Sequence, residues 1–241
     1  MSYKLGCLPG VIPVGLKDLT YYMPGPLPQA PAEVEVPSVN WGMDGNDVYG
    51  DCGVAAINHG FMADAVIIGD IKESFPSSRQ VVDYYMTYNS GQDVGVILSA
   101  FLAYVKANPF CGHTIEAYAP AAVHDIPTLQ FAINAYGFAY TGISVTQAMM
   151  NACEGTAWQP WTLQDTMGEP VGGHCIPLIG YDDQFLYAVT WGGVQKITYS
   201  AWHSMSTEAW AVITGEFVAK GDDGRGINLQ ALQADLSRIS R

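Results

Sequence analysis

Small and apolar residues recur at helical spacing from Asp51 onward: Cys52, Ala55, Ala56, His59, Ala63 and Val66 share one stripe that ends before Gly69. Small side chains on that stripe predict close packing against a neighbouring element. A second helix is predicted over 78–88, with Val82, Tyr85 and Met86 inward and Arg79, Asp83 and Thr87 outward. A third is predicted to start at an Asp93 N-cap, to carry Ile97, Ala100, Phe101, Tyr104 and Val105 on one face, and to stop at Asn108-Pro109. Asp125 is read as the cap of a fourth, with Pro127 in its first turn, Leu129, Ile133 and Tyr136 inward, and Gly137 in the left-handed terminal position.

Beyond Gly137 the period falls to two. Aromatic and β-branched residues predict strands over 138–145, 174–181, 185–190, 194–199 and 209–214. Helices first and an antiparallel sheet second make an α+β layout of two lobes. The first forty residues, with Pro24, Pro26, Pro28 and Pro31 closely spaced, read as an extended arm with one helical turn near 16–22. That arm is expected to strap its own domain or to dock on a neighbouring subunit. At the other end, the polar, glycine-rich stretch 221–226 precedes Leu229, Leu232, Leu236 and Ile239 at helical spacing, a terminal helix that packs on its own domain or on a partner. The chain thus divides into an arm (1–40), a two-lobed domain (41–215, split into 41–137 and 138–215), and a linker with a helix (216–241).

Composition narrows the function classes. Ten Lys+Arg against 23 Asp+Glu give a net charge of −13, which argues against a nucleic-acid groove. No apolar run reaches the roughly 18–20 residues needed to cross a bilayer, so no membrane span is expected. No apolar h-region follows the first residues, so a signal peptide is not expected, and the expected location is the cytoplasm or a virion. The five cysteines, an odd number, fit a reducing compartment. Neither Cys111-Gly-His113 nor His174-Cys175 has a matching second half, so no metal and no cofactor are expected.

Thiol chemistry needs an accessible, stabilised thiolate, and Cys52 stands at a helix start where N–H groups and the dipole favour one. Gly50 and Gly53 let the backbone turn and approach a substrate carbonyl, while the Cys52 amide and the Asn46 side chain could donate to an oxyanion. His174, after Gly172-Gly173 and opening a strand, is the best base among five histidines. His59 is read as a core hydrogen-bonding residue, and His113, His124 and His203 as loop or surface residues. Glu208 is read as a solvated strand end. Trp158, Trp161, Trp191, Trp202 and Trp210 are read as packing the sheet lobe, with Trp191 also placed to shield His174.

Asn46-Asp-Val-Tyr-Gly-Asp-Cys52-Gly-Val-Ala-Ala56 resembles the glutamine-to-cysteine segment of papain-like cysteine peptidases. Gly172-Gly-His174-Cys-Ile-Pro-Leu-Ile-Gly-Tyr-Asp182 is similar to their histidine strand, and Val189-Thr-Trp191-Gly192 to the strand that normally carries asparagine, serine, tryptophan and glycine. The whole chain is similar to a group of papain-like proteins of actinobacteria and their phages. The resemblance implies a two-lobed papain-like fold, a helical lobe followed by an antiparallel sheet or barrel lobe, and hydrolysis of a peptide or protein substrate by Cys52 and His174. Two departures stand out. Asn46 replaces the usual glutamine, and Val189 or Thr190, depending on hairpin register, replaces the orienting asparagine. Asp51, a carboxylate directly before the thiol, would oppose thiolate formation by up to roughly 2–3 kcal/mol, and if it points inward the thiol depends on His174 for activation. Two readings therefore stand: a cysteine peptidase or amidase using Cys52, His174, Asn46 and Thr190, or an inactive papain-like virion part that assembles, or self-associates, through the arm and terminal helix.

Overall fold

The structure, a computed structural model, describes residues 3–69, 75–219 and 226–239. The sequence from Cys52 folds as helix α1 (Cys52–Ile67), whose residues 52–65 are all buried. Its small residues are there for contact: a Cβ on Gly53 would lie 2.3 Å from the Val96 side chain, and one on Gly60 2.4 Å from the Phe138 ring. Helix α2 (Ser78–Tyr88) begins at a Ser77–Gln80 capping box. Val81 and Tyr85 are its buried residues, so the inward face is centred on Val81 and not on Val82. Helix α3 (Leu98–Ala107) starts later than expected, because Asp93 does not cap it. Its Oδ1 instead accepts from the Gly50 amide at 2.9 Å and the Tyr85 hydroxyl at 2.7 Å. Val96–Ile97 (β2) is extended and pairs in parallel with Cys7–Leu8 (β1). Leu98, Phe101, Leu102 and Val105 face the core, while Ile97 and Ala100 are exposed.

The other elements are β3 (Ile115–Pro120), α4 (Ile126–Tyr136), β4 (Ala139–Thr146), α5 (Gln147–Ala152), β5 (Pro170–Tyr181), β6 (Phe185–Thr190), β7 (Gly193–Thr198), α6 (Tyr199–Met205), β8 (Ser206–Thr214), α7 (Gly215–Ala219) and α8 (Leu229–Ile239). Six strands form one antiparallel sheet in the order β3-β8-β4-β5-β6-β7. The sequence pattern missed β3, an edge strand ending in Pro120, where the lost N–H is tolerated. It also missed α5 and α6, short helices begun by Thr146 and Thr198 caps. Helix α1 packs on β5 and α4 on β8, and the start of α1 lies against the interior strand β5, with Cys52 beside Cys175.

Segments near both chain ends pack on this body. A 3-10 turn at Leu19–Tyr22 buries Leu19 and Tyr22, and Val34 bridges to Tyr181. Helix α8 buries Leu232 and Leu236 against β3 and the 3-10 turn, and the Tyr22 hydroxyl donates to Asp235 at 3.0 Å. Most of the glycine-rich stretch before α8, 220–225, lies outside the described residues. Among the described residues, no helix is long and apolar enough to cross a membrane.

Candidate active site

The turn before α1 is built from backbone angles most side chains avoid: φ is 52° at Asp44 and 94° at Gly45. The Asn46 side chain pins it, its Nδ2 donating to Tyr49 O at 3.2 Å and Asp51 Oδ1 at 3.3 Å. Buried His59 supports it from below, with Nε2 2.9 Å from Trp41 O and 3.2 Å from Asp44 Oδ2. Cys52 therefore opens α1 at a fixed place, and Asp93 holds the preceding Gly50 amide.

The facing wall is β5. A bulge between Leu178 and Gly180 shifts the β5–β6 register so that Leu178 pairs with Ala188. Continued along the ladder, that register puts Thr190 on the face that carries His174 and Val189 on the other. Thr190 Oγ1 is 2.8 Å from His174 Nε2, while Nδ1 is buried with no partner. The β6–β7 hairpin turns through Trp191 (φ 43°) and Gly192 (φ 79°), the two positive angles of a type I′ turn. That strained tryptophan stacks on the imidazole, ring centroids 4.6 Å apart.

Cys52, Asn46, His174 and Thr190, all buried, line one small pocket of about 10 Å³. No hydrogen bond joins the Cys52 sulfur to His174; the sulfur receives the amides of Cys175, Gly6 and Gly53. Burial, with a smaller contribution from Asp51, pushes the thiol up to about 12. Burial alone lowers His174 to about 3. Asp51 is fully buried and held up to about 8, mainly by desolvation, so at neutral pH it is a neutral acid and not the repelling carboxylate the sequence suggested.

The chain's own arm lies beside this pocket. The Lys4 amide donates to Asn46 O at 2.9 Å, and Lys4 O accepts from Asn46 Nδ2 at 3.3 Å and Trp191 Nε1 at 3.5 Å. Gly6 O accepts from the Val96 amide at 2.8 Å, and Gly6 N–H points at the Cys52 sulfur. Tyr3 stacks on the outer face of Trp191 at 4.3 Å, so Tyr3, Trp191 and His174 form one pile. Glycine is needed at the crossing, since a Cβ on Gly6 would lie 1.8 Å from Gly50 O. An extended peptide thus lies across Cys52, bonded through its backbone to both walls.

The structure brings Cys52, His174, Asn46 and Thr190 together. Two other sequence readings need correction. His113 is buried, with Nδ1 3.0 Å from Glu216 and its ring stacked on Phe61. Glu208 is half-buried, accepts from Trp210 Nε1 at 2.7 Å and lines a cavity beside the arm. His124 and His203 are exposed, as read. Among the described residues, no group of three or more His, Cys, Asp or Glu is arranged to hold a metal ion. Sequence reasoning missed Asp93 as a brace, Tyr3 as part of the pile, and Cys7 and Cys175 as neighbours of the site. A sharper signal for Trp191 was the Trp-Gly dipeptide between two strands.

No family model and no curated protein matches the chain. Among solved structures, xylellain, a cysteine protease from Xylella fastidiosa, superposes with a TM-score of 0.69 at 15% identity, covering 88% of this chain and 96% of its own. The cysteine protease and lectin-like domains of Cwp84 from Clostridium difficile give 0.55 at 12%, covering 88% of this chain and 55% of theirs. The ragweed pollen allergen Amb a 11, a cysteine protease in its proform, gives 0.53 at 17%, covering 85% and 71%. The chain has the mixed α+β architecture of the papain-like fold.

Proposed function

We propose that the chain is a cysteine peptidase or amidase whose cleft holds its own residues 3–8 until they are displaced. His174 Nδ1 takes the Cys52 proton, the sulfur attacks a carbonyl, and the Cys52 amide with Asn46 Nδ2 stabilises the oxyanion. The imidazole then protonates the leaving amine, and water releases the acyl group. Thr190 orients the ring through Nε2. The observation that carries this reading is the unpartnered Nδ1 of His174, lining one cavity with Cys52 beneath a peptide segment. Departure of the arm admits water, which brings thiol and imidazole back towards their ordinary values and makes proton transfer accessible. A peptide or a peptidoglycan cross-bridge fits an extended cleft that bonds to backbone. The test is hydrolysis of a peptide library by chain lacking residues 1–12. Turnover lost in Cys52→Ala and His174→Ala supports the reading, and no turnover in the parent counts against it.

The burial of Cys52 and His174 and the missing sulfur–imidazole bond favour a second reading, an inert papain-like part of an actinobacterial or phage assembly. Under it, deleting 1–30 or 227–241 abolishes assembly, or self-association, while Cys52→Ala leaves it intact.

A further inference from the structure

Three thiols from three elements meet beside the site, and the proposed hydrolysis uses one of them. Cys7 lies on the arm, Cys52 opens α1 and Cys175 lies on β5; all are free and buried. Cys7 settles where the sheet has no side chains. A Cβ on Gly173 would lie 3.5 Å from Cys7 Cβ, and one on Gly142 3.4 Å from Cys7 Sγ. Gly142 is the direct cross-strand partner of Cys175, so the two share a face, and their Cβ positions are about 4.5–5.5 Å apart. Gly173, two residues before Cys175, is on that face as well. The Cys7 sulfur therefore lies on the Cys175 face of the sheet, near enough for the two thiols to feel each other's charge, and a disulfide between them needs their Cβ atoms to come to about 3.5–4.5 Å. It is also reachable, because Cys7 borders a cavity of about 270 Å³ lined in addition by Ile143, Thr207 and Glu208.

We propose that Cys7 and Cys175 form an oxidative modification site, whose substrate is a small disulfide and whose product is a bond that fastens the arm in the cleft. The Cys7 thiolate attacks one sulfur of the small disulfide, forming a mixed disulfide and releasing one thiol. The Cys175 thiolate then attacks the Cys7 sulfur and expels the second thiol. Two protein thiols are oxidised, one small disulfide is reduced to two thiols, and each leaving thiolate takes up a proton given up by Cys7 or Cys175. Burial holds both protein thiols well above the usual value, so the reaction is slow and accelerates with pH. The bond itself needs no turnover; its effect on activity rests on the hydrolase reading.

The experiment treats the full chain with cystamine at pH 8.5, in a Cys111→Ser background that removes the exposed thiol. Cystamine is small, and its ammonium groups suit the Glu208 carboxylate. Non-reducing peptide mapping is expected to show a Cys7–Cys175 cross-linked peptide, to show no retained cysteamine, and to lose the cross-link on dithiothreitol treatment. In Cys7→Ser the cross-link disappears and Cys175 stays a free thiol, while far-UV circular dichroism matches the parent. A stable cysteamine adduct on Cys7, a Cys7–Cys52 bond, or unmodified Cys7 would each overturn the proposal. Because mass is the readout, these outcomes are separate from any failure of hydrolysis in the arm-deleted chain.

Discussion

The two ends of the chain both fold back on the body, but by different physics. Helix α8 docks by apolar burial, with Leu232 and Leu236 inserted against β3 and the 3-10 turn. The arm at residues 3–8 docks through backbone hydrogen bonds to Asn46 and Val96, the Tyr3–Trp191 stack, a glycine crossing at Gly6 and the burial of Cys7 with Leu5 packed over Gly172. A surface that binds a segment through its main chain accepts other sequences in the same path, which is how a peptide-binding cleft works. A surface that binds leucines in fitted holes does not. Under the proposed function, the difference makes the arm a displaceable occupant of the cleft and α8 a part of the core.

Removing residues 1–12 should produce the largest change. Local opening governs access to buried groups, so alkylation of Cys52 by iodoacetamide is expected to rise at least ~100-fold, measured by peptide mass spectrometry. Leu232→Ala should do the reverse, costing about 2–5 kcal/mol in urea unfolding with Cys52 alkylation unchanged at native conditions. If it instead freed Cys52, the two ends would not be independent.

A third expectation concerns pH. Asp51 keeps its proton to about pH 8 in the folded chain but loses it near 3.8 when unfolded. Its proton uptake stabilises the fold fully below that lower value, and the stabilisation declines as pH rises towards 8. Asp51→Asn should therefore flatten the loss of stability between about pH 4 and pH 8, leaving the variant up to a few kcal/mol ahead at pH 9 in denaturant titrations. His174 acts in the other window: lowered to about 3 from 6.5, it stabilises above 6.5, and that contribution is lost as pH falls towards 3. Tyr3→Ala is the mildest break, removing a stack worth about 0.5–1.5 kcal/mol and raising Cys52 alkylation by roughly 2–10-fold.

Much of this was legible in the sequence. The small-residue stripe gave α1 because close helix packing leaves a compositional mark, and period-two runs gave β4 to β8. Cys52 stood out by its position at a helix start and His174 by its place in a predicted strand, although β5 begins at Pro170, so His174 lies inside the strand and does not open it. Thr190 could not be chosen over Val189, because the decision lies in a one-residue bulge at Leu178–Gly180, which no local pattern announces. Asp93 was misread because an aspartate before an apolar run suggests a cap, yet its partners are Gly50, 43 residues away, and Tyr85. The fate of the arm was equally hidden, since proline content predicts extension and not destination. Charge on Asp51 was overestimated because burial is a tertiary property.

The most direct measurement is the rate of Cys52 alkylation in the arm-deleted chain with and without His174→Ala, taken across pH 5–9. Rapid modification near neutral pH that collapses without His174 is the predicted result. Equal rates in the two proteins, or a profile that rises only above the ordinary thiol range in both, would contradict an activated cysteine.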